Sequence, residues 1–183
     1  MGIESHPLKI LFEEHKLIQK MNSKLKDMAV FISSHHDVTD QKLEAAERFI
    51  REFIHDFHFA KEEKFLFPAL SAKGVGEKYR ILDILKNDHD QITQYFQEID
   101  VAMQDKHQAR SVNLLKISEV FHKYGGLISK HIANENETLF PIAVKFLNEA
   151  NYSSMAKNFA DFTLKTLGKD YLEKYEDLIE KLS

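Results

Sequence analysis

The sequence has no cysteine and no tryptophan among its 183 residues, and only 3 prolines and 6 glycines. Without cysteine the chain forms no disulfide, supplies no thiolate to zinc or to an iron–sulfur cluster, and offers no cysteine nucleophile. Few prolines and glycines leave few turns and favour long helices. Any metal site must therefore use nitrogen and oxygen ligands on a helical scaffold.

Long apolar runs and charge of a single sign are also missing. No stretch approaches the roughly 20 apolar residues that a transmembrane helix needs, and the first residues show no apolar signal core. The formal net charge is −4, and lysine and glutamate are mixed along the chain. Nothing indicates a basic surface for nucleic acid. We expect a cytoplasmic protein with neither a nucleic-acid nor a membrane partner.

An eleven-residue segment occurs twice in the chain. Residues 58–68 read HFAKEEKFLFP and residues 131–141 read HIANENETLFP, with His, Ala, Glu, Leu, Phe and Pro in common. In each copy the glutamate follows the histidine by four residues, so an α-helix would turn both side chains to one face. The segment therefore predicts two pairs of metal ligands, His58 with Glu62 and His131 with Glu135.

A second element, with one histidine, is also repeated. Residues 8–18 and 82–92 share their leucine and isoleucine register around His15 and His89. The distance from His15 to His89 is 74 residues and that from His58 to His131 is 73. Two such helix–helix units predict an all-α, up-down-up-down four-helix bundle in which His15 and His89 join the two pairs.

Amphipathic periodicity and turn residues set the expected helix boundaries. We expect the first helix from Ser5 or Pro7 to about residue 31, and the second from a cap at Thr39 or Asp40 toward Pro68, which should bend or end it. The third follows Gly74 and Gly76. The fourth should cover about residues 111–146, with interruptions at Gly125-Gly126 and at Pro141.

The remaining residues, 151–182, contain two more amphipathic segments. They should hinge near Gly168 and bury one stripe against the bundle. The predicted stripe consists of Tyr171, Leu172, Tyr175, Leu178, Ile179 and Leu182. We therefore divide the chain into a four-helix bundle over residues 1–148 and a C-terminal helical extension over 149–183.

Six predicted ligands suit two metal ions. Two imidazoles for each ion, with both glutamates bridging, give four protein ligands per ion and leave room for an oxo, hydroxo or water bridge and an open position. Burying these six groups without a metal would cost several kcal/mol each. The set is His15, His58, Glu62, His89, His131 and Glu135.

The same residues carry a family resemblance. An acidic residue before a histidine (Glu14-His15 and Asp88-His89), together with HxxxE…LFP, each occurring twice over about residues 6–147, resembles the hemerythrin-like, HHE cation-binding family. The resemblance implies a four-helix bundle with two iron ions and a bridging oxo or hydroxo group. Manganese and zinc are the alternative metals, since His/Glu sites accept them.

Two positions depart from the oxygen-carrying members of that family. Those proteins have a fifth histidine where this chain has Thr93, and a carboxylate where it has Asn136. The resulting set of four histidines and two glutamates is similar to di-iron proteins that repair iron–sulfur centres. Those proteins often carry an N-terminal module with a cysteine, which this sequence does not contain.

Three functions follow as hypotheses. The sequence alone does not decide between an enzyme and a binding protein. The first is a di-iron protein that binds or reduces a small oxidant, a diatomic such as O2 or NO or a peroxide, under iron or redox stress. The second repairs or donates iron to damaged iron–sulfur clusters. The third is a metal-free helical interaction module. We expect a homodimer contact or a protein partner to use the C-terminal helices.

Other polar residues have weaker signals. The pairs Glu52/His55 and Glu119/His122 match the ferritin-like Glu-x-x-His spacing, but His122 falls on the wrong side of its helix. His55 lies near the direction of Glu62, where it either supports the site or is simply structural. Lys61 and Lys64 should point away from the site.

Glu63 is the alternative carboxylate to Glu62, and Tyr124 either lines the site or fills the core. The remaining histidines fall at helix ends or in loops, and we assign them no chemistry. They are His6, His35, His36 and His107.

Overall fold

The computed structural model describes residues 6–34, 37–105 and 107–182, and their regular secondary structure is entirely helical. His35 and His36 lie outside these ranges, as does Ser5. No helix in the described part of the chain is long and apolar enough to cross a membrane. The helices are α1 (Pro7–Ser33), α2 (40–71), α3 (Val75–Lys78), α4 (Ile81–Gln104), α5 (110–146), α6 (Glu149–Thr166) and α7 (Tyr171–Glu180). This confirms the all-α prediction.

Two of the long helices change their hydrogen-bond register along their length. Helix α2 is π-helical over Phe49–Phe59 and Glu62–Leu66, and α5 is π-helical over Glu135–Leu139. The change from π- to α-helix comes at the two prolines, because Phe67–Ser71 and Phe140–Phe146 are α-helical with proline in the first two positions. A proline is tolerated there, since the first turn of an α-helix does not need its N–H.

Pro68 does not end the second helix and Pro141 does not interrupt the fourth, contrary to expectation, whereas the fourth helix ends at Phe146, as expected. Helix α2 continues to Ser71 and α5 to Phe146. The extra residue of the preceding π-turn absorbs the proline without a break in the helix.

The four long helices form a ring, in which α1 and α4 each contact both α2 and α5. Two apolar clusters fill the ring, one containing Met21 and Phe121 and the other Leu11 and Leu85. His15 lies on α1 between Leu11, from the second cluster, and Ile18, from the first. His15 therefore lies between two apolar layers of the bundle interior.

Helices α6 and α7 cover one side of this ring. They meet at Gly168, whose φ of +86° is a left-handed conformation that favours glycine, as the predicted hinge requires. Tyr171, Tyr175, Ile179 and Leu182 are buried on the bundle, but Leu172 is 38% exposed. The prediction was wrong for Leu172 because one residue beyond Tyr171 is about 100° around an α-helix, outside the packed face.

Gly125 and Gly126 do not interrupt α5, contrary to expectation, but they differ in their surroundings. A Cβ added to Gly125 would lie 2.5 Å from the Asn22 Oδ1 atom and 3.2 Å from Lys26 Cε on α1. Asn22 is fixed there, because its Nδ2 donates to the Gly125 carbonyl (2.9 Å) and to Ser129 Oγ (2.8 Å). Gly125 thus permits close approach of α1 and α5, whereas a Cβ on Gly126 meets nothing within 4 Å.

The two glycines give a matched test of this packing. Gly125→Ala should lower the free energy of unfolding by about 1–3 kcal/mol, because the methyl group displaces Asn22 from both hydrogen bonds. Gly126→Ala should raise it by about 0.5–1 kcal/mol through helix propensity. Urea unfolding followed by circular dichroism measures both. Equal effects of the two variants would contradict the close contact at Gly125.

Candidate metal centre

All six predicted ligand residues come together at the centre of the ring. One or two come from each long helix, and none is more than 2% exposed. The ligand atoms form two groups of four, in each of which all atoms lie within 4.8 Å of one another. One group is His15, His58, Glu62 and Glu135, and the other is Glu62, His89, His131 and Glu135. That these residues bind metal stays a prediction. The geometry adds which residues would share one metal ion.

Each glutamate lies between the two groups. The Oε1 atom of Glu62 is 3.3 Å from His58 Nε2, and its Oε2 atom is 3.3 Å from His89 Nε2. The Oε2 atom of Glu135 is 3.1 Å from His15 Nε2 and 3.3 Å from His131 Nε2. Each carboxylate therefore lies close to histidines of both groups, so a metal ion held by either group would have both glutamates and two imidazoles within reach.

Most inward-facing atoms of this cluster lack a hydrogen bond, although the Nε2 atoms of His89 and His131 lie within hydrogen-bond distance of each other (3.2 Å). Both oxygens of Glu62 and of Glu135, and the Nε2 atoms of His15 and His58, are buried with no hydrogen-bond partner. The short contacts above bring nitrogen near oxygen without hydrogen-bond geometry. Buried polar atoms in native proteins are almost always satisfied, so this concentration of orphaned donors and acceptors fits a metal pair. Nitrogen and carboxylate oxygen also suit iron, manganese and zinc.

The outward-facing Nδ1 atoms of the histidines contact a second ring of side chains. His58 Nδ1 donates to Glu14 Oε2 (2.9 Å), and His131 Nδ1 lies 3.8 Å from Asp88 Oδ2. Glu14 and Asp88 are the acidic residues that precede His15 and His89 in the repeated element. Glu14 thus holds the histidine of a neighbouring helix by a hydrogen bond, whereas Asp88 lies near His131 at a distance too long for one. The one-dimensional motif reveals neither contact.

The other two partners follow the glutamate ligands in the sequence. His89 Nδ1 donates to Glu63 Oε1 (2.7 Å), and His15 Nδ1 donates to Asn136 Oδ1 (2.8 Å). Carboxylate and amide oxygens can only accept, so Nδ1 carries the hydrogen and Nε2 faces the centre. Glu63, weighed as an alternative ligand, instead orients His89. Repeat symmetry contained the signal for this, because Glu63 and Asn136 occupy equivalent positions.

Lys61 is wrongly predicted to point away from the site. It is completely buried, and its Nζ atom donates to Glu14 Oε1, which also accepts from the Tyr171 hydroxyl at 2.8 Å. On an α-helical wheel Lys61 lies only about 60° from His58, and helices α6 and α7 enclose that flank. Lys64 is exposed, as expected.

The histidines and glutamates of the cluster strongly shift one another's pKa values. Burial works to lower the pKa of His15 and of His89, but Glu135 and Glu62 outweigh it at His15, and Glu62 and Glu63 outweigh it at His89. The pKa rises from 6.5 to about 10 for His15 and to about 9 for His89. Burial works to raise the pKa of Glu62, yet the surrounding histidines hold it well below 4.5. Metal binding must therefore displace protons.

The remaining candidates lie outside the cluster. His55 donates through Nδ1 to Thr93 Oγ1 (3.2 Å), which in turn donates to the His89 carbonyl (2.8 Å), so His55 bonds to no predicted ligand. Burial lowers the pKa of His55 to about 4. Glu119 and His122 are both exposed, which confirms that this ferritin-like pair is solvated.

Tyr124 is fully buried in the larger apolar cluster, and its hydroxyl has no hydrogen-bond partner. This position favours the core interpretation. His6 packs against Tyr152 with 4.3 Å between the ring centroids and an angle of 45° between the ring planes, and His107 is exposed. Neither belongs to the cluster.

A helical bundle with a buried cluster of histidines and glutamates at its centre defines a class of metal-binding proteins. The family model of the hemerythrin HHE cation-binding domain matches residues 6–143. The chain therefore belongs to the hemerythrin family, as the repeated motifs predict. No curated protein matches the chain.

The pKa shifts predict how the stability of the metal-free protein depends on pH. His15 and His89 have raised pKa values, so they stabilise the folded state fully below pH 6.5 and lose that contribution as pH rises toward 9 and 10. Chelator-treated protein should therefore unfold at lower urea concentration at pH 9 than at pH 6. The decline should be smaller in His15→Gln and unchanged in His122→Gln. A stability that rises from pH 6 to pH 9 would contradict the assignment.

Proposed function

We propose that His15, His58, His89 and His131, with Glu62 and Glu135, hold two iron ions. The observation that carries this proposal is the set of orphaned nitrogen and oxygen atoms at the centre of the bundle. Iron bound there would supply electrons and open coordination positions to a small oxidant. The protein residues keep the site dry, point Nε2 of each histidine inward and balance the charge of the ions with two carboxylates.

We propose a small oxidant as the ligand, such as O2, NO or a peroxide, with a role in iron or redox stress. The ligand residues are at most 2% exposed, so a larger substrate could not reach them without rearrangement of the bundle. Glu63 connects the cluster to the protein surface, because its carboxylate accepts a hydrogen bond from His89 while its side chain is 51% exposed. A groove of about 430 Å³, lined by Glu63, Phe67, Lys86 and Asp90 among others, opens at this point.

Metal titration tests the metal centre. Purified protein loaded anaerobically with iron should retain about two ions per chain after desalting, and His58→Ala should retain fewer. The matched control is His122→Ala, which removes an exposed histidine from α5 and should retain as many ions as the wild type. A chain that folds fully without metal and retains no iron would contradict the proposal, and would favour a metal-free interaction module.

The second candidate function is repair of, or iron donation to, damaged iron–sulfur clusters. The observation in its favour is the symmetry of the ligand set. Thr93 donates to a carbonyl of its own helix and Asn136 accepts from His15, so neither position adds a ligand to one side of the centre. This function needs a protein partner, and we propose the C-terminal helices as the contact.

Two assays on iron-loaded protein separate these functions. Detoxification predicts multiple turnovers of peroxide or NO when reductant is present, without loss of iron from the protein. Repair predicts restored activity of a damaged iron–sulfur dehydratase together with stoichiometric loss of iron. His58→Ala should abolish either activity and His122→Ala neither. Iron-loaded wild type that is inactive in both assays would contradict both functions.

A further inference from the structure

The carboxylate of Glu14 connects one proposed metal ligand to the C-terminal helices. Its Oε2 atom accepts from His58 Nδ1, and its Oε1 atom accepts from both Lys61 and the Tyr171 hydroxyl. Glu14 and Lys61 are completely buried, and Tyr171 is 8% exposed. The Glu14 carboxylate therefore divides its negative charge among three hydrogen-bond donors, His58, Lys61 and Tyr171. Because the site is buried, water does not screen these interactions.

The equivalent histidine has no such arrangement. The partner of His131 is Asp88, at 3.8 Å, and the residue that corresponds to Lys61 in the second copy of the motif is Asn134. Asn134 has no charge to place beside Asp88. The two copies of the repeat thus supply the same proposed ligands, but the charged side chains around His58 and around His131 differ.

The C-terminal helices hold the lysine in this position. The Nζ atom of Lys61 lies 3.9 Å from the centroid of the Phe57 ring, 5.2 Å from that of Phe159 and 5.8 Å from that of Tyr171. Phe159 belongs to α6 and Tyr171 to α7, both beyond residue 143, where the family match ends. Cation–π contacts and the Glu14 ion pair together compensate the burial of the ammonium group.

We propose that Tyr171 and Lys61 are positioning residues that limit the donor strength of His58. A carboxylate that accepts from a ligating histidine makes the imidazole a stronger donor to metal. Hydrogen bonds to the far oxygen of that carboxylate withdraw charge and weaken this effect. The C-terminal helices thereby adjust one of the two metal positions, and they do so only if the six residues bind metal as proposed above.

Tyr171→Phe tests this with a matched control. The substitution keeps the ring and removes one donor from Glu14, so the bond from His58 Nδ1 should shorten and His58 should stabilise the oxidised metal more. We expect a lower midpoint potential for the iron-loaded protein. In zinc-loaded protein, the proton resonance of His58 Nδ1–H should move downfield. Tyr175→Phe is the control, since the Tyr175 hydroxyl donates to Glu52 (2.6 Å), which does not contact a proposed ligand.

Lys61→Met gives a second variant, which should shift both measurements in the same direction and further, because it removes a charged donor. Unchanged values in Tyr171→Phe, equal shifts in Tyr175→Phe, or a shift of opposite sign would overturn the proposal for Tyr171. These results would leave the metal centre intact, provided that all variants retain the iron of the wild type. A wild type that retains no metal would instead overturn the proposed function, and this inference with it.

Discussion

Two glutamates buried among four histidines impose the constraint on which the rest of this protein depends. Removing a carboxylate from water costs several kcal/mol, which only close opposite charge and good geometry can offset. Glu62 and Glu135 are completely buried, and their surroundings provide four imidazoles but no direct hydrogen bond. Two cations in the same space would supply the missing interaction. The apolar layers on both sides make it stronger, because they exclude the water that would weaken it.

The polar side chains outside this centre form a ring that orients the histidines. Neighbouring helices supply each partner, so the relative position of the helices fixes which nitrogen faces inward. Glu14 and Glu63 show that the ring is not uniform, since one is completely buried and tied to α7, whereas the other is half-exposed beside a surface groove. If the cluster binds two metal ions as proposed, the symmetric repeat would therefore give them different access to solvent and different surrounding hydrogen bonds.

The sequence was sufficient to predict the four-helix arrangement and the residues that meet at its centre. The spacing between His58 and Glu62 sets a common helical face, and the repeat transfers it to the second copy. Lys61 and Glu63 could not be placed in the same way, because periodicity shows the direction of a side chain but not what covers it. Lys61 is buried by α6 and α7, and its contact with Tyr171 joins residues that no local pattern connects.

The central claim is that this cluster holds two metal ions with Glu62 and Glu135 between them. Anomalous X-ray diffraction at the iron absorption edge, from crystals of iron-loaded protein, tests it most directly. We predict two anomalous peaks, one beside His15 and His58 and the other beside His89 and His131, both in contact with the two glutamates. A single peak, peaks at other histidines, or no peak at the centre of the bundle would contradict the account.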